Sequence, residues 1–169
     1  MLIIFGGLPG TGKTTISQQI AKQLNAVYLR IDTVEQVLKK FSSSDHLVGP
    51  EGYMVCYELA LDNLKLGLPV VADSVNPIAI TRNDWQKVAL DANKPFIEIE
   101  LVCSNTKEHQ RRIETRKADI PGHKLPKWLD VLNRDYEPWQ SKSIILDTTE
   151  HSVSESVEII MDFISQKIK

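Results

Sequence analysis

An α/β fold built on a mostly parallel sheet is predicted by three observations. Short apolar runs alternate with amphipathic stretches along the whole chain. The run Leu2 to Phe5 leads straight into the glycine-rich segment Gly7-Leu-Pro-Gly-Thr-Gly-Lys-Thr14. Beyond that segment, Ile16, Ile20 and Leu24 recur at helical spacing.

Five strands are expected: Leu2 to Phe5, Val27 to Arg30, Pro69 to Ala72, Phe96 to Val102 and Ser143 to Leu146, each closed by a polar or glycine-containing loop. Helices are expected over Val34 to Lys40 and Tyr53 to Leu66. The polar break between them, Ser42 to Gly52, is a candidate substrate loop. Asn76-Pro77 offers a helix cap followed by a first-turn proline. The last segment carries Val153, Val157, Ile160, Met161, Ile164 and Ile168 on one face, opened by a capping box of Ser152 and Glu155. Trp128, Tyr136 and Trp139 are spaced to suit a helix packing onto the domain, with a substrate or adenine platform as the alternative.

At 169 residues and 42% hydrophobic, the chain suits one domain over residues 1–169 with a core that needs no staples. Twenty basic residues against 22 acidic ones leave a formal charge of −2, which argues against a nucleic-acid or membrane partner. The apolar start lacks a basic flank and reads as a buried strand rather than a signal peptide. Cys56 and Cys103 are isolated thiols, expected in the core and suited to a reducing cytoplasm. His46, His109, His123 and His151 are scattered, with no partner at zinc-ligand spacing.

The segment from Gly7 to Thr14 fits a phosphate-binding loop in every fixed position. Gly7, Gly10 and Gly12 allow backbone N–H groups to turn inward around phosphate oxygens. Lys13 would place its ammonium on the β and γ phosphates, and Thr14 its hydroxyl on Mg²⁺. The helix that starts near Gly12 aims its positive end at the same charge. The expected nucleotide-binding set is Gly7, Gly10, Thr11, Gly12, Lys13, Thr14 and Thr15.

Ligands of an open parallel sheet collect beyond the carboxyl ends of its strands, where Asp32, Asp73 and Asp147 lie. Asp73 would hold Mg²⁺ through water, or serve only as a turn carboxylate. Asp32 reads as a general base for an acceptor hydroxyl, as a helix cap, or as both. Arg111, Arg112 and Arg116 follow the fourth strand, with Arg112 and Arg116 on one helical face. They form either a phosphate clamp or a solvated basic face, and the stretch Ala118 to Pro126, with two prolines and a glycine, suits a hinged flap. The expected lid spans about 105–127. The loop after Asp147 would shape an adenine site.

In combination these residues resemble the small P-loop kinases, among them gluconate kinase, shikimate kinase, chloramphenicol phosphotransferase and the kinase domain of phage polynucleotide kinase. They most resemble predicted kinases of the AAA-33 type, through GLPGTGKTT ending at Thr15, RID at 30–32, VVADSVN at 70–76 and ADIPGHKLPKWLDVLNRDYEPW beyond Arg112. The resemblance implies a three-layer P-loop fold with a five-stranded parallel sheet in the order 2-3-1-4-5, helices on both faces and a lid. It also implies ATP- and Mg²⁺-dependent phosphorylation of a hydroxyl on a small molecule, by a monomer or homodimer. Lys13 and Thr14 match the phosphate and Mg²⁺ contacts, Asp32 the acceptor-activating carboxylate, Arg112 and Arg116 the lid arginines, and Asp73 the carboxylate segment after the third strand. Val34 stands where shikimate kinase has a second acid, which argues against a shikimate-like substrate. The alternatives are a 5′-hydroxyl kinase of nucleic acid, a toxin-type kinase of a sugar nucleotide, and a nucleotide-binding module with little turnover.

Overall fold

The structure is a computed structural model that describes residues 1–41, 49–140 and 144–168. Its elements in chain order are β1 (Leu2–Gly6), α1 (Lys13–Gln23), β2 (Val27–Arg30), α2 (Ile31–Phe41), α3 (Glu51–Lys65), β3 (Val70–Asp73), α4 (Ala79–Asp91), β4 (Phe96–Val102), α5 (Thr106–Thr115), α6 (Trp128–Leu132), β5 (Ile144–Asp147) and α7 (Val153–Ile168). The strands form one sheet in the order β2-β3-β1-β4-β5, and every pairing is parallel.

Side-chain alternation along the central strand builds both halves of the core. Ile3 and Phe5 point to the face covered by Ile16 and Ile20 of α1 and by Val157, Ile160 and Ile164 of α7. Leu2 and Ile4 point the other way, onto Cys56, Ala60 and Leu64 of α3 and Trp85 and Val88 of α4. Full burial of each such aliphatic or aromatic side chain contributes about 1.5–3 kcal/mol. Because β1 is covered on both faces, the loop that leaves it is anchored at its first residue. The α7 capping box forms as expected, with the Ser152 N–H donating to Glu155 Oε2 at 2.7 Å and the Glu155 N–H to Ser152 Oγ at 3.3 Å.

The differences from expectation lie mostly at element ends. β3 runs one residue further, to Asp73, because its ladder continues to Phe5 of β1 and Arg30 of β2. α2 starts at Ile31, so Asp32 is a first-turn residue rather than an N-cap. Asn76 is not a cap either: α4 is preceded by Ile78, and Asn76 has a φ of 47°. Its side chain instead donates from Nδ2 to the Phe5 carbonyl at 2.8 Å, bracing the segment after β3 against the end of β1. Of the expected substrate loop, residues 42–48 lie outside the described residues, as does Ser143 of the expected fifth strand.

Tyr136 and Trp139 are not helical, since α6 ends at Leu132. They wrap around Arg82, whose guanidinium carbon lies 4.6 Å from the Trp139 ring centroid and 5.4 Å from that of Tyr136. Arg82 is buried and donates to the carbonyls of Asn76 at 2.9 Å, Pro77 at 3.0 Å and Pro138 at 3.0 Å, and also to that of Glu137. A single guanidinium thus ties the segment before α4 to the segment before β5. Arg82→Met would strand these carbonyls without a charged donor. It is expected to lower stability by about 3 kcal/mol or more, read as a reduced midpoint of urea unfolding.

Candidate active site

The loop between β1 and α1 is held from three directions. Gly7 has a φ of +132°, and a Cβ there would sit 2.2 Å from the Leu101 carbonyl oxygen of β4, so no other residue fits. A Cβ on Gly10, at φ +85°, would meet the Ile113 side chain of α5 at 2.7 Å. The buried His109 ring donates from Nε2 to the Pro9 carbonyl at 2.7 Å. Within the loop, Thr11 Oγ1 and Lys13 Nζ each donate to the Leu8 carbonyl at 2.9 Å. Gly12, at φ +88°, precedes α1, whose first turn carries no acidic residue, so its free N–H groups face an uncompensated anion site.

Three cavities meet around this loop. The first, of about 350 Å³, is lined by Gly12, Lys13, Thr14, Thr15, Arg112 and Arg116, joined by Arg30 and Asp119. A second, of about 440 Å³, continues past Gly12, Thr15 and Arg112 to Thr148, Thr149 and His151 in the loop after β5. The third, of about 510 Å³, opens on the other side of Thr14 and Arg116 and holds Asp32, Glu35, Tyr53, His123 and Arg134. Thr14 and Arg116 therefore stand in the wall common to the first and third.

Lys13, Thr14, Asp32, Arg112 and Arg116 line these cavities, whereas Arg111, Asp73 and Asp147 do not. Arg112 donates to Glu108 at 2.8 Å, to Thr148 Oγ1 at 2.8 Å and to the Thr148 carbonyl at 3.0 Å, joining α5 to the loop after β5. Arg116 ends α5 in an extended conformation. Arg111 stands apart, exposed and paired with Glu108 at 2.7 Å. Asp73 is buried and accepts the Tyr28 hydroxyl at Oδ2, at 2.6 Å. Burial and the adjacent Asp73 push the Tyr28 phenol up, which keeps it the donor. Oδ1 of Asp73 has no protein partner among the described residues. Asp32 is half-buried, with Oδ2 3.7 Å from Arg30 Nη2. Asp147 turns back on its own loop, accepting the N–H groups of Ser104 at 3.2 Å and Thr149 at 2.9 Å. Those bonds outweigh burial and hold its carboxyl well below the usual range.

Some residues of the site have no site role in the motif reading. Tyr28 and Glu35 are two, and Asp119 lies inside the quoted ADIPG stretch without a role there; their proximity is a product of the fold. Arg30 belongs to the RID motif at 30–32 without a role there, although a charge that closes an apolar run falls under the same strand-end criterion that picks out the acids. Burial and then the neighbouring Asp32 push the Glu35 carboxyl up.

The description of AAA_33, an AAA domain, matches residues 2–134. The chain belongs to this family. The AAA_33 chain is 25% identical over 165 residues to the adenylyl-sulfate kinase of Synechococcus sp. (strain JA-3-3Ab), covering 93% of this chain and 89% of that one. It is 23% identical to the probable adenylyl-sulfate kinase of Aeropyrum pernix, covering 96% and 91%. Among solved structures, the Mycobacterium tuberculosis APS kinase CysC in complex with AMPPNP and APS superposes with a TM-score of 0.72 at 19% identity, covering 97% and 96% of the two chains. A gluconokinase from Sinorhizobium meliloti 1021 gives 0.63 at 18% identity, covering 92% and 86%. These superpositions show that the AAA_33 chain has the P-loop fold. Among the described residues, no helix is long and apolar enough to cross a membrane.

The Lys13 ammonium is the most perturbed cation of the site. Burial lowers its pKa from 10.5 to about 8, with Arg116 and Arg134 acting in the same direction and Asp73 and Asp32 opposing. A polyanion in the first cavity would restore the proton, so binding takes up a proton above about pH 8. Affinity for ATP, measured by titration calorimetry, is expected to fall by up to about tenfold per pH unit from pH 8 to 10. Lys13→Met should weaken binding and flatten that dependence.

Proposed function

We propose that the protein is a kinase that transfers the γ-phosphoryl group of ATP to a hydroxyl of a small polar acceptor. The observation that carries this reading is the common wall: Thr14 and Arg116 line both the cavity of the phosphate loop and the cavity of Asp32. A donor phosphate and an acceptor hydroxyl placed in the two cavities meet there. The full-length likeness to adenylyl-sulfate kinases supports the same class of reaction.

Each residue then has a task set by its position. The loop N–H groups and Lys13 hold the β and γ phosphates, and the Thr148 to His151 loop borders the base. Asp32 accepts the proton of the attacking hydroxyl, a role that suits a half-buried carboxylate on the acceptor side. Arg112 and Arg116 face the charge that spreads over the transferring oxygens. The Thr14 hydroxyl and the Asp73 carboxylate are the hard oxygen donors that would hold Mg²⁺, Asp73 through water. A Mg²⁺ ion held there would supply charge neutralisation for the phosphates.

Adenylyl sulfate is a specific second candidate as acceptor, because curated relatives that span over nine-tenths of this chain carry that activity in their names. It belongs beside polyols and sugar acids in a panel assayed by coupled ADP release. Turnover that depends on one acceptor is the expected result. Nucleotide binding without acceptor-dependent turnover across the panel would argue for the binding-module alternative. Asp32→Asn is expected to lower kcat by about 10² or more while ATP affinity stays within about twofold. Equal loss of both would reduce Asp32 to a structural residue.

A further inference from the structure

Residues 116–126 lie across the first and third cavities, yet they are thinly attached. Among the described residues, the only side-chain hydrogen bonds or ion pair joining 117–126 to the rest of the protein run between Arg30 and Asp119. Both terminal nitrogens of Arg30 reach Asp119, one of them to Oδ1 at 3.1 Å. The two partners differ in setting, since Arg30 is 7% exposed at the end of β2 while Asp119 rides on the surface loop. Arg30 Nη2 also faces Asp32 at 3.7 Å, and Arg30 Nε has no partner among the described residues.

The position of Asp119 is unexpected on electrostatic grounds. It lines the cavity of the phosphate loop, where a carboxylate would repel a triphosphate. A bidentate guanidinium cancels that charge and fixes the loop at the same time. We propose that Arg30 and Asp119 form a latch that holds the 116–126 loop over the phosphate site, with Arg30 as the positioning residue that makes an acidic latch compatible with a bound polyanion. The proposal rests on the phosphotransfer reading only in placing ATP in the first cavity. Its use in that reaction is to keep water from the γ phosphate, so that transfer outruns hydrolysis.

Tryptic cleavage at Lys117 and Lys124, both exposed on the loop, reports the latch without reference to activity. With saturating ATP analogue, Asp119→Asn is expected to speed cleavage at these sites by about tenfold or more, with analogue affinity unchanged or tighter. Arg30→Gln should speed cleavage likewise and weaken analogue binding by about tenfold, since Asp119 is then left uncompensated. Adding Asp119→Asn to Arg30→Gln should recover most of that affinity while leaving cleavage fast. A merely structural role for Arg30 predicts no such recovery. Unchanged cleavage in Asp119→Asn, or no recovery in the double variant, overturns the proposal. Should Arg30→Gln fail to fold, the half-exposed position decides alone, through Asp119→Asn and Asp119→Ala. Absence of ATP binding by the unaltered protein would count against the phosphotransfer reading, while the cleavage rates of Asp119→Asn and Arg30→Gln measured without analogue would still decide the latch.

Discussion

A buried ammonium without an anion is the constraint around which this molecule is arranged. Lys13 is 7% exposed, and among the described residues its only hydrogen bond is to the Leu8 carbonyl at 2.9 Å. A neutral carbonyl compensates little of the cost of removing such a charge from water. The remainder falls to Asp73 and Asp32, which act from β3 and α2, while Arg116 and Arg134 work against it. The strand order places these groups: with β3 between β1 and β2, Asp73 pairs in register with both Phe5 and Arg30. The carboxyl edge of the sheet therefore carries alternating charges around Lys13.

The loop that carries Lys13 is held in shape by its surroundings. Its glycines pack against the Leu101 carbonyl and the Ile113 side chain, and the His109 ring holds Pro9 from outside. On the remaining side, the Gly7 N–H donates to the Val75 carbonyl at 3.1 Å, and Asn76 grips the Phe5 carbonyl. Arg82 then fixes Asn76 through its own carbonyl and brings the Tyr136 to Trp139 segment over Gly6, where a Cβ would collide with Trp139. Distant residues thus set the shape of a loop they do not touch. Pre-organisation of this kind means that binding energy is not spent on ordering the loop.

How far the sequence foretold this can be judged from particular residues. The phosphate loop and the five strands were legible because each depends on local rules: glycine geometry, apolar runs and helical spacing. The sheet order came from resemblance, and the structure bears it out. Asp32 was legible as a site candidate but not as a first-turn residue, since the start of α2 at Ile31 follows from burial of that side chain against the core. Asn76 illustrates a different failure. Its preference for turns pointed to a cap, whereas a partner 71 positions away claims its amide. Tyr136 and Trp139 at helical spacing were claimed in the same manner by the Arg82 guanidinium. The pairing of Arg30 with Asp119 spans 89 positions and leaves no periodic trace.

Under the proposed reaction, the half-buried face of α2 contributes to selection of the acceptor. Asp32 and Glu35 are three positions apart on that helix, so both carboxyls face the third cavity, with Arg134 and Lys39 on its lining as counter-charges. Burial and then the neighbouring Asp32 push the Glu35 carboxyl up. Such a wall suits a ligand that offers hydroxyl groups. Tyr53 is the only Phe, Tyr or Trp among the described lining residues, so a planar base would find one aromatic surface there at most. Under the proposed reaction, the donor half is fixed by backbone geometry that any P-loop shares, whereas the acceptor half depends on side chains brought together from α2, from Tyr53 of α3 and from residues 123–134. Among the described residues no side chain of α2 lines the cavity of the phosphate loop, so under that reading substitutions on α2 alter the acceptor side and leave the lining of the donor side in place.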